Sequence, residues 1–273
     1  MNRALGASAV AGRETSLAGR TAVVTGGGRG IGAATAIALA EAGAAVALAA
    51  RNEAQVVEVA AQLRRDGLEA FAFRCDVTDP RQVRDLALSA REAMGRIDIL
   101  INNAGTATSN PVAKITLPEW EHIMGVNATG TFLCTQAVIP AMLERGWGRI
   151  VNVASRAGLE GDRYIAAYVA AKHAVVGFTK AVASEARGTG VTVNAVCPGY
   201  VDTPLTDETI ARIMQLTGKS WHDALRSILA QVGQPRLIRA AEVAEAILDL
   251  CGDHSAARNG ETVVLDGGER SPS

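Results

Sequence analysis

The sequence predicts a three-layer α/β domain, in which a doubly wound parallel sheet of about seven strands carries helices on both faces. Short runs rich in β-forming residues alternate with helical segments, several of these runs are apolar almost throughout, and 273 residues suffice for one large domain. Nearly continuous apolar strands are typical of parallel strands covered on both faces. The predicted strands are residues 21–25, 45–49, 69–74, 97–101, 149–153, 191–196 and 262–265.

The chain is predicted to consist of one domain preceded by a tail. Residues 1–18 combine small and charged residues without the apolar run of a secretory signal, so we expect a flexible N-terminal tail. Residues 19–273 contain no linker or repeat that would divide a domain. Two helical pieces, 207–216 and 220–231, follow one another without an intervening strand. We call residues 204–233 the flap and expect it to lie over one edge of the sheet.

Composition and charge argue against several classes of function. Lysine and arginine (27) nearly balance aspartate and glutamate (28), so no overall positive field attracts nucleic acid or anionic lipid. The one stretch that suggests a membrane span, residues 33–50, is interrupted by Glu41 and Gly43. The four cysteines and four histidines lack metal-binding spacing. We therefore expect a cytoplasmic protein with reduced thiols and without metal, nucleic acid or membrane as partners.

A glycine-rich segment, TGGGRGIG, follows the first predicted strand and opens the helix predicted over residues 31–42. Such a turn lets backbone N–H groups and the amino end of a helix approach a pyrophosphate, where side chains would obstruct the approach. We expect a dinucleotide phosphate site at this turn. Its residues are Thr25, Gly26, Gly28, Arg29, Gly30, Ile31 and Gly32.

The residues after the second strand indicate which dinucleotide is preferred. Where an NAD site usually has an acidic residue for the ribose hydroxyls, this chain has Arg51. Arg51 and Arg29 together could bind a 2′-phosphate, because one charge-assisted hydrogen bond contributes roughly 1.5 to 3 kcal/mol. NADPH (NADP) is therefore the expected cofactor, and the nearby Glu53 leaves NADH (NAD) as the alternative.

A tyrosine and a lysine four residues apart predict proton-transfer chemistry. Tyr168 and Lys172 fall in a helix predicted over residues 164–187, and their spacing places phenol and ammonium on one face. Lowering a phenol pKa from about 10 to about 7 requires roughly 4 kcal/mol, to which the ammonium and a positive nicotinamide ring would contribute. Ser155, after a predicted strand, would hydrogen-bond the substrate oxygen, and Asn127 would hold a water that relays the proton.

Several segments together resemble the classical short-chain dehydrogenase/reductase family in order and spacing. They are TGGGRGIG at 25–32, NNAG at 102–105, Asn127, Ser155, YVAAK at 168–172 and PGYVDT at 198–203. The resemblance spans about residues 19–268 and implies a Rossmann-type fold with hydride transfer between a nicotinamide and a carbonyl or alcohol. It implies a catalytic set of Asn127, Ser155, Tyr168 and Lys172. It also implies cofactor contacts from Asp76, Val77, Asn103, Ala104, Gly105, Tyr168, Lys172, Pro198, Gly199, Val201 and Thr203.

Within this family, residues 194–205 and 234–250 are most similar to bacterial 3-oxoacyl-[acyl-carrier-protein] reductases and polyketide ketoreductases. We therefore expect an NADPH-dependent ketoreductase that acts on a 3-oxoacyl thioester or a similar ketone. Arg156 and Arg163 would favour an anionic or carrier-linked substrate, unless they form surface ion pairs. Tyr164 is expected in the substrate pocket or the core.

The same resemblance implies a homotetramer that packs through the helices predicted over 117–145 and 164–187, whose apolar residues extend beyond one face. Two other functions remain as alternatives. An NAD-dependent alcohol or 3-hydroxyacid dehydrogenase would use the same residues in the oxidative direction. A catalytically silent dinucleotide-binding sensor would keep the glycine turn alone, and the intact catalytic set argues against it.

Overall fold

The computed structural model describes residues 16–268, and its centre is a seven-stranded parallel sheet in the order β3-β2-β1-β4-β5-β6-β9. The strands of this sheet are β1 (Thr21–Thr25), β2 (Ala45–Ala50), β3 (Ala70–Arg74), β4 (Ile99–Asn102), β5 (Gly148–Val153), β6 (Val191–Pro198) and β9 (Thr262–Leu265). The helices are α1 (Gly30–Glu41), α2 (Glu53–Arg65), α3 (Pro80–Met94), α4 (Leu117–Met124), α5 (Gly130–Arg145), α6 (Ala166–Glu185), α7 (Pro204–Thr217), α8 (Trp221–Gln231) and α9 (Ala240–Cys251).

The predicted fold class is confirmed, because all pairs in this sheet are parallel and the chain winds outward in both directions from β1 and β4. β1 and β9 have the predicted bounds, and the other five strands differ from theirs by one or two residues at one end or both.

Helices cover both faces of the sheet, and the strand residues alternate between them. Ala22 and Val24 belong to the apolar core beneath α1, α2 and α9, whereas Val23 belongs to the core beneath α3, α5 and α6. Burial on both sides explains why β1 is apolar almost throughout, since neither face of a central parallel strand meets water. All four cysteines are buried as free thiols in these layers.

The packed chain includes Leu17, one residue before the predicted end of the tail. Leu17 is 2% exposed, and its backbone N–H donates a hydrogen bond of 2.7 Å to the carbonyl oxygen of Ala42. The segment just before β1 is therefore fastened to the end of α1. Residues 1–15, which make up most of the predicted tail, lie outside the described residues.

A five-residue π-helical segment, Gly125–Thr129, joins α4 and α5 into one run of helix from Leu117 to Arg145. This 29-residue run meets the length and hydropathy expected of a membrane span, which the sequence analysis did not single out. Its residues Cys134, Val138 and Met142 are buried in the core beneath α3 and α6. A core helix of a three-layer domain passes the same test, so the run is weak evidence for a membrane.

The flap contains the two helices α7 and α8, which pack on each other through Ile210, Ala224 and Ile228. A pair of two-residue strands closes its base: β7 (Val201–Asp202) pairs in parallel with β8 (Ile238–Arg239). This small sheet was not predicted, because two-residue strands carry no periodic pattern that a sequence can reveal. It fixes both ends of the flap at the carboxyl edge of the main sheet.

Candidate active site

A cleft of about 780 Å³ opens at the carboxyl edge of the sheet, between the ends of β1 and β4 and beneath the flap. This is the point where the two halves of a doubly wound sheet diverge, which is where such sheets bind ligands. All the predicted catalytic residues line the cleft, and so do all the predicted cofactor residues except Thr25 and Gly32.

The turn between β1 and α1 has the geometry of a phosphate-binding loop. Gly26 and Gly30 have φ angles of 65° and 54°, a left-handed backbone that other residues rarely adopt. A Cβ on Gly32 would overlap the carbonyl oxygen of Gly26, so the helix can follow the turn this closely only without a side chain. The side chain at the Arg29 N-cap forms no capping hydrogen bond. The first N–H groups of α1 are thus left without a side-chain acceptor, which suits an anion.

Thr25 and Asn103 support this turn from beneath. The Thr25 hydroxyl accepts hydrogen bonds from the backbone N–H groups of Asn103 and Ala104, at 3.0 and 3.1 Å. The Asn103 amide in return donates to the carbonyl oxygens of Thr25 and Gly26, at 3.0 and 3.1 Å. Thr25 is 1% exposed, so its hydroxyl serves the loop rather than facing the cleft.

The residues expected at the adenosine end lie after β2 and β3. Arg51 is exposed and lines the cleft directly after β2, together with Asn52. Glu53, the acidic residue that kept NADH as an alternative, starts α2 and is not among the lining residues. Asp76 also lines the cleft, and its backbone N–H donates a hydrogen bond of 3.0 Å to the Gln82 side chain.

The structure adds a partner for Arg29 that the sequence did not indicate. The Arg29 guanidinium forms an ion pair of 2.9 Å with Glu208 of α7, and the two side chains are 49% and 59% exposed. The glycine turn and the flap are therefore joined across the mouth of the cleft. Because exposed ion pairs contribute little free energy, Arg29 can exchange Glu208 for another anion at small cost.

Tyr168, Lys172 and Ser155 meet in the middle of the cleft. The Lys172 ammonium donates a hydrogen bond of 2.8 Å to the carbonyl oxygen of Val153 and lies 5.6 Å from the centroid of the Tyr168 ring. The Ser155 hydroxyl accepts a hydrogen bond of 3.1 Å from the backbone N–H of Ala157. Phenol, ammonium and hydroxyl are therefore held together at one point by the end of β5 and the first turns of α6.

Without a bound nicotinamide, the surroundings of Tyr168 raise its phenol pKa rather than lower it. Burial raises the pKa of Tyr168 to about 12, and a hydrogen bond with Ser155 offsets only part of this effect. Burial also lowers the pKa of Lys172 to about 8, because the charged ammonium is removed from water. At neutral pH the phenol carries its proton, which is the form required of an acid that protonates a carbonyl oxygen.

Asn127 lies in the π-helical segment and is 1% exposed. Its amide donates hydrogen bonds to the carbonyl oxygens of Thr106 and Ile123 at 2.8 and 2.9 Å, and its side-chain oxygen accepts from the Thr106 N–H at 3.3 Å. A Cβ on Gly105 would lie 2.9 Å from that oxygen and 3.6 Å from the Lys172 ammonium. The amide thus fixes the chain after β4 directly beside the ammonium.

Arg156 forms the ion pair that was its alternative role, whereas Arg163 and Tyr164 lie outside the cleft. The guanidinium of Arg156 donates to the Val232 carbonyl oxygen at 2.8 Å and pairs with Glu160 at 3.3 Å, so it ties the loop after β5 to the flap. Arg163 is exposed and does not line the cleft. Tyr164 precedes α6 with a φ of 67°, is 59% exposed and belongs neither to the cleft nor to the core.

Three residues of this region were missed by sequence reasoning. Gln234 is buried, accepts from the Tyr200 N–H at 2.8 Å and donates to the Tyr200 carbonyl oxygen at 2.7 Å, and so fixes the chain that lines the cleft. Asp162 and Tyr200 both line the cleft. Tyr200 lies within the PGYVDT segment without having been assigned a role, and the loop positions of Asp162 and Gln234 do not distinguish them from surface residues.

A phosphate-binding turn and a tyrosine, lysine and serine share one cleft at the switch point of a doubly wound sheet, which defines a dinucleotide-dependent oxidoreductase. The chain belongs to the short chain dehydrogenase family, whose model matches residues 20–213.

Its relatives include both reductases and dehydrogenases. The chain is 40% identical to a 3-oxoacyl-[acyl-carrier-protein] reductase of Synechocystis sp., over 93% of this chain and 98% of that protein. It is 38% identical to a D-beta-hydroxybutyrate dehydrogenase of Rhizobium meliloti, over 91% of this chain and 98% of that protein. The crystal structure of a variant of actinorhodin polyketide ketoreductase with NADPH matches with a TM-score of 0.87 and 38% identity, over 91% of this chain and 96% of that chain.

Proposed function

We propose that this protein is an NADPH-dependent ketoreductase that reduces a 3-oxoacyl thioester or a similar ketone. One observation carries the proposal: the glycine turn, Arg51 and the proton-donating Tyr168 line a single continuous cleft. The relatives named above include a 3-oxoacyl-[acyl-carrier-protein] reductase and a polyketide ketoreductase with NADPH, which supports this direction of reaction.

The residues present fit a dinucleotide with a 2′-phosphate. The turn at Gly26 and Gly30 and the uncapped start of α1 would take the pyrophosphate, and Arg51 would take the 2′-phosphate. When bound, NADPH supplies the hydride for the carbonyl carbon. The described lining of the cleft places no carboxylate directly after β2, where a ribose-binding acid of an NAD site would stand.

The proton is supplied by this chain. The neutral Tyr168 phenol donates its proton to the substrate oxygen, and the Ser155 hydroxyl donates a hydrogen bond that polarises the same oxygen. The phenolate that remains is stabilised by the Lys172 ammonium, which the Val153 carbonyl oxygen holds in place. A general acid placed in this way contributes typically about 10²- to 10⁴-fold to the rate.

We assign Asn127 to the same catalytic set on the strength of its contacts. Both N–H groups of its amide are occupied by the Thr106 and Ile123 carbonyl oxygens. A water that relays a proton back to Tyr168 would therefore bind an oxygen atom of Asn127. The Asn127 side-chain amide would in addition hold the chain at Gly105 beside Lys172.

The test measures NADPH oxidation with acetoacetyl thioesters, cyclic ketones and sugar ketones, and compares NADPH with NADH. We expect thioesters to give the highest kcat/KM and NADPH to be preferred. Arg51→Ala should remove most of that preference, a loss of tenfold or more if one charge-assisted hydrogen bond is worth roughly 1.5 to 3 kcal/mol. Equal rates on thioesters and simple ketones would contradict the acyl substrate, and faster turnover of 3-hydroxy acids with NAD would favour the dehydrogenase alternative.

We also propose a cytoplasmic homotetramer of single-domain subunits, each with a flap that covers the bound substrate. The support lies in the surface of the long helical run, where Leu117, Trp120, Phe132 and Leu143 are exposed. Phe132 packs edge to face on Phe178 of α6, so the apolar surface continues from α5 to α6. Light scattering at micromolar concentration should give four times the subunit mass, and a monomer would contradict the proposal.

A further inference from the structure

We propose that Asp162 is a specificity-determining residue, which excludes substrates with a free carboxylate and so selects neutral 3-oxoacyl thioesters or esters. The inference rests on the proposed ketoreductase function and concerns the substrate end of the same cleft. It separates two of the substrate classes for which relatives of this chain are named, acyl thioesters and free hydroxy acids.

Asp162 carries the carboxylate at the substrate end of the cleft, by which we mean the part near Ser155 and Tyr168. Among the described residues that line the cleft, Asp76 and Asp162 are the two with carboxylates. Asp76 follows β3 and lies on the adenosine side with Arg51, whereas Asp162 lies in the loop between β5 and α6, the same loop that begins with Ser155. Any acid that places its ketone at Ser155 therefore enters the part of the cleft that Asp162 borders.

Asp162 acts electrostatically on the centre of this region. Asp162, Tyr200 and the proton donor Tyr168 all line the cleft. Burial raises the pKa of Tyr200 to about 12, and the negative charge of Asp162 adds to that shift. The charge of Asp162 therefore acts within the part of the cleft that holds the reacting carbonyl.

The surrounding groups hold Asp162 without neutralising it. Its Oδ1 accepts a hydrogen bond of 2.7 Å from the backbone N–H of Arg163 and another from the Gln231 side-chain amide, and both donors are uncharged. Two cations line this part of the cleft: Arg156 is paired with Glu160 and bonded to the Val232 carbonyl oxygen, and the Lys172 ammonium is bonded to the Val153 carbonyl oxygen. The arginines at the opposite end, Arg29 and Arg51, belong to the phosphate side of the cleft.

A free 3-oxo acid carries its carboxylate two carbon–carbon bonds from the ketone. The carboxylate charge must therefore enter the partly desolvated space that Asp162 borders. Repulsion between like charges grows as the local dielectric constant falls, and residues of the flap border the cleft on this side. A thioester or ester of the same acid is neutral at that position. The cleft therefore discriminates by charge rather than by the size of the acyl chain.

The test compares kcat/KM for acetoacetate with that for its neutral N-acetylcysteamine thioester, in the wild-type protein and in Asp162→Asn. Asparagine keeps the Oδ1 acceptor for Arg163 and Gln231 and removes the charge alone. We expect the acid-to-thioester ratio to rise at least tenfold in Asp162→Asn. Asp207→Asn is the matched control, because Asp207 is an exposed carboxylate of the flap outside the cleft, and its ratio should equal that of wild type.

A ratio that does not change in Asp162→Asn, in a protein that still reduces the thioester, overturns this inference and leaves the proposed function intact. Reduction of neither compound by the wild-type protein overturns both. A second measurement needs no variant: raising the salt concentration should lower the wild-type KM for acetoacetate more than that for ethyl acetoacetate. Equal salt effects on the two KM values would likewise overturn the role of Asp162.

Discussion

The two edges of the central sheet use polar residues in opposite ways. At the carboxyl edge, Lys172 is buried with its ammonium bonded to a single carbonyl oxygen, and its pKa falls to about 8. At the amino edge, Arg149 is 2% exposed, and its guanidinium donates to the carbonyl oxygens of Gly148 and Gly190 at 2.8 and 3.0 Å. The buried Lys172 therefore lines an open cleft, whereas the buried Arg149 lies in a packed region at the opposite edge of the sheet.

The amino edge is sealed by further contacts of this kind. The Trp147 ring lies between two guanidinium groups, with that of Arg20 3.7 Å and that of Arg149 4.5 Å from its centroid. The Trp147 indole N–H also donates to Asp253 at 3.0 Å, and the buried Asp98 pairs with Arg96 at 2.8 Å. These polar groups are satisfied by other groups of the protein.

This difference suggests that residues of the carboxyl edge serve catalysis and that residues of the amino edge serve stability. Ionisable groups that are desolvated beside a cleft destabilise the fold, yet their shifted pKa values are what proton transfer requires. Burial also lowers the pKa of Arg149, but its guanidinium is bonded to three carbonyl oxygens and is unavailable to a ligand. Substitutions at the carboxyl edge should therefore reduce activity and spare stability, and substitutions at the amino edge should do the reverse.

The largest effect is expected for Tyr168→Phe. Removing the phenol hydroxyl removes the proposed acid, so kcat should fall about 10²- to 10⁴-fold, while the free energy of unfolding should change by less than about 1 kcal/mol. NADPH oxidation and urea unfolding measure the two quantities, and NADPH binding by fluorescence is the control. A variant that binds NADPH and keeps full reductase activity would refute the assignment of the acid.

Arg149→Ala is the matching substitution at the amino edge. It leaves buried carbonyl oxygens without donors and removes the contact with Trp147, so the free energy of unfolding should fall by about 3 kcal/mol. Because Arg149 lies at the far end of the strand from the cleft, kcat and KM of the folded protein should stay within about twofold of wild type. A loss of activity without a loss of stability would show that the two edges are not separable.

Lys172→Met tests the energetic cost of burying the ammonium, through the pH dependence of the free energy of unfolding. The lysine pKa is near 10.5 when unfolded and about 8 in the folded protein, so the unfolded chain binds more protons between these values. The wild-type protein should therefore gain about 2 to 3 kcal/mol of stability relative to Lys172→Met as the pH rises from 7 to 10. Urea unfolding at both pH values measures this difference. Parallel pH profiles would mean that the folded ammonium is not destabilised by burial.

The cofactor half of the site could be predicted from sequence because its residues are set by local geometry. The glycine turn at Gly26 and Gly30 needs a left-handed backbone, and the spacing of Tyr168 and Lys172 places both on one face of α6. Such features depend on neighbouring positions in the chain, so a short motif carries them.

The substrate half could not be predicted, because its contacts join distant parts of the chain. Arg29 meets Glu208 across 179 positions, and Asp162 meets Gln231 across 69. The effect of burial on the Tyr168 pKa could not be predicted either, since burial depends on how distant parts of the chain enclose the residue. The sequence left Arg156 between a contact with a charged substrate and an ion pair, and its guanidinium is bonded to Glu160 and to the Val232 carbonyl oxygen.

The smallest effect is expected for Glu208→Gln, which tests how much the ion pair between the glycine turn and the flap contributes to stability and to NADPH binding. Since both partners of the Arg29–Glu208 pair are exposed, losing it should change the free energy of unfolding by less than about 1 kcal/mol. The freed Arg29 becomes available to the cofactor phosphates, so NADPH should bind about two- to fivefold more tightly at low salt, with a smaller gain at high salt. Asp207→Asn, on the same helix and without this contact, should bind NADPH as the wild-type protein does. Weaker binding by Glu208→Gln would instead mean that Glu208 orients Arg29 towards the phosphates, which would make this exposed pair part of the binding site rather than a competitor for it.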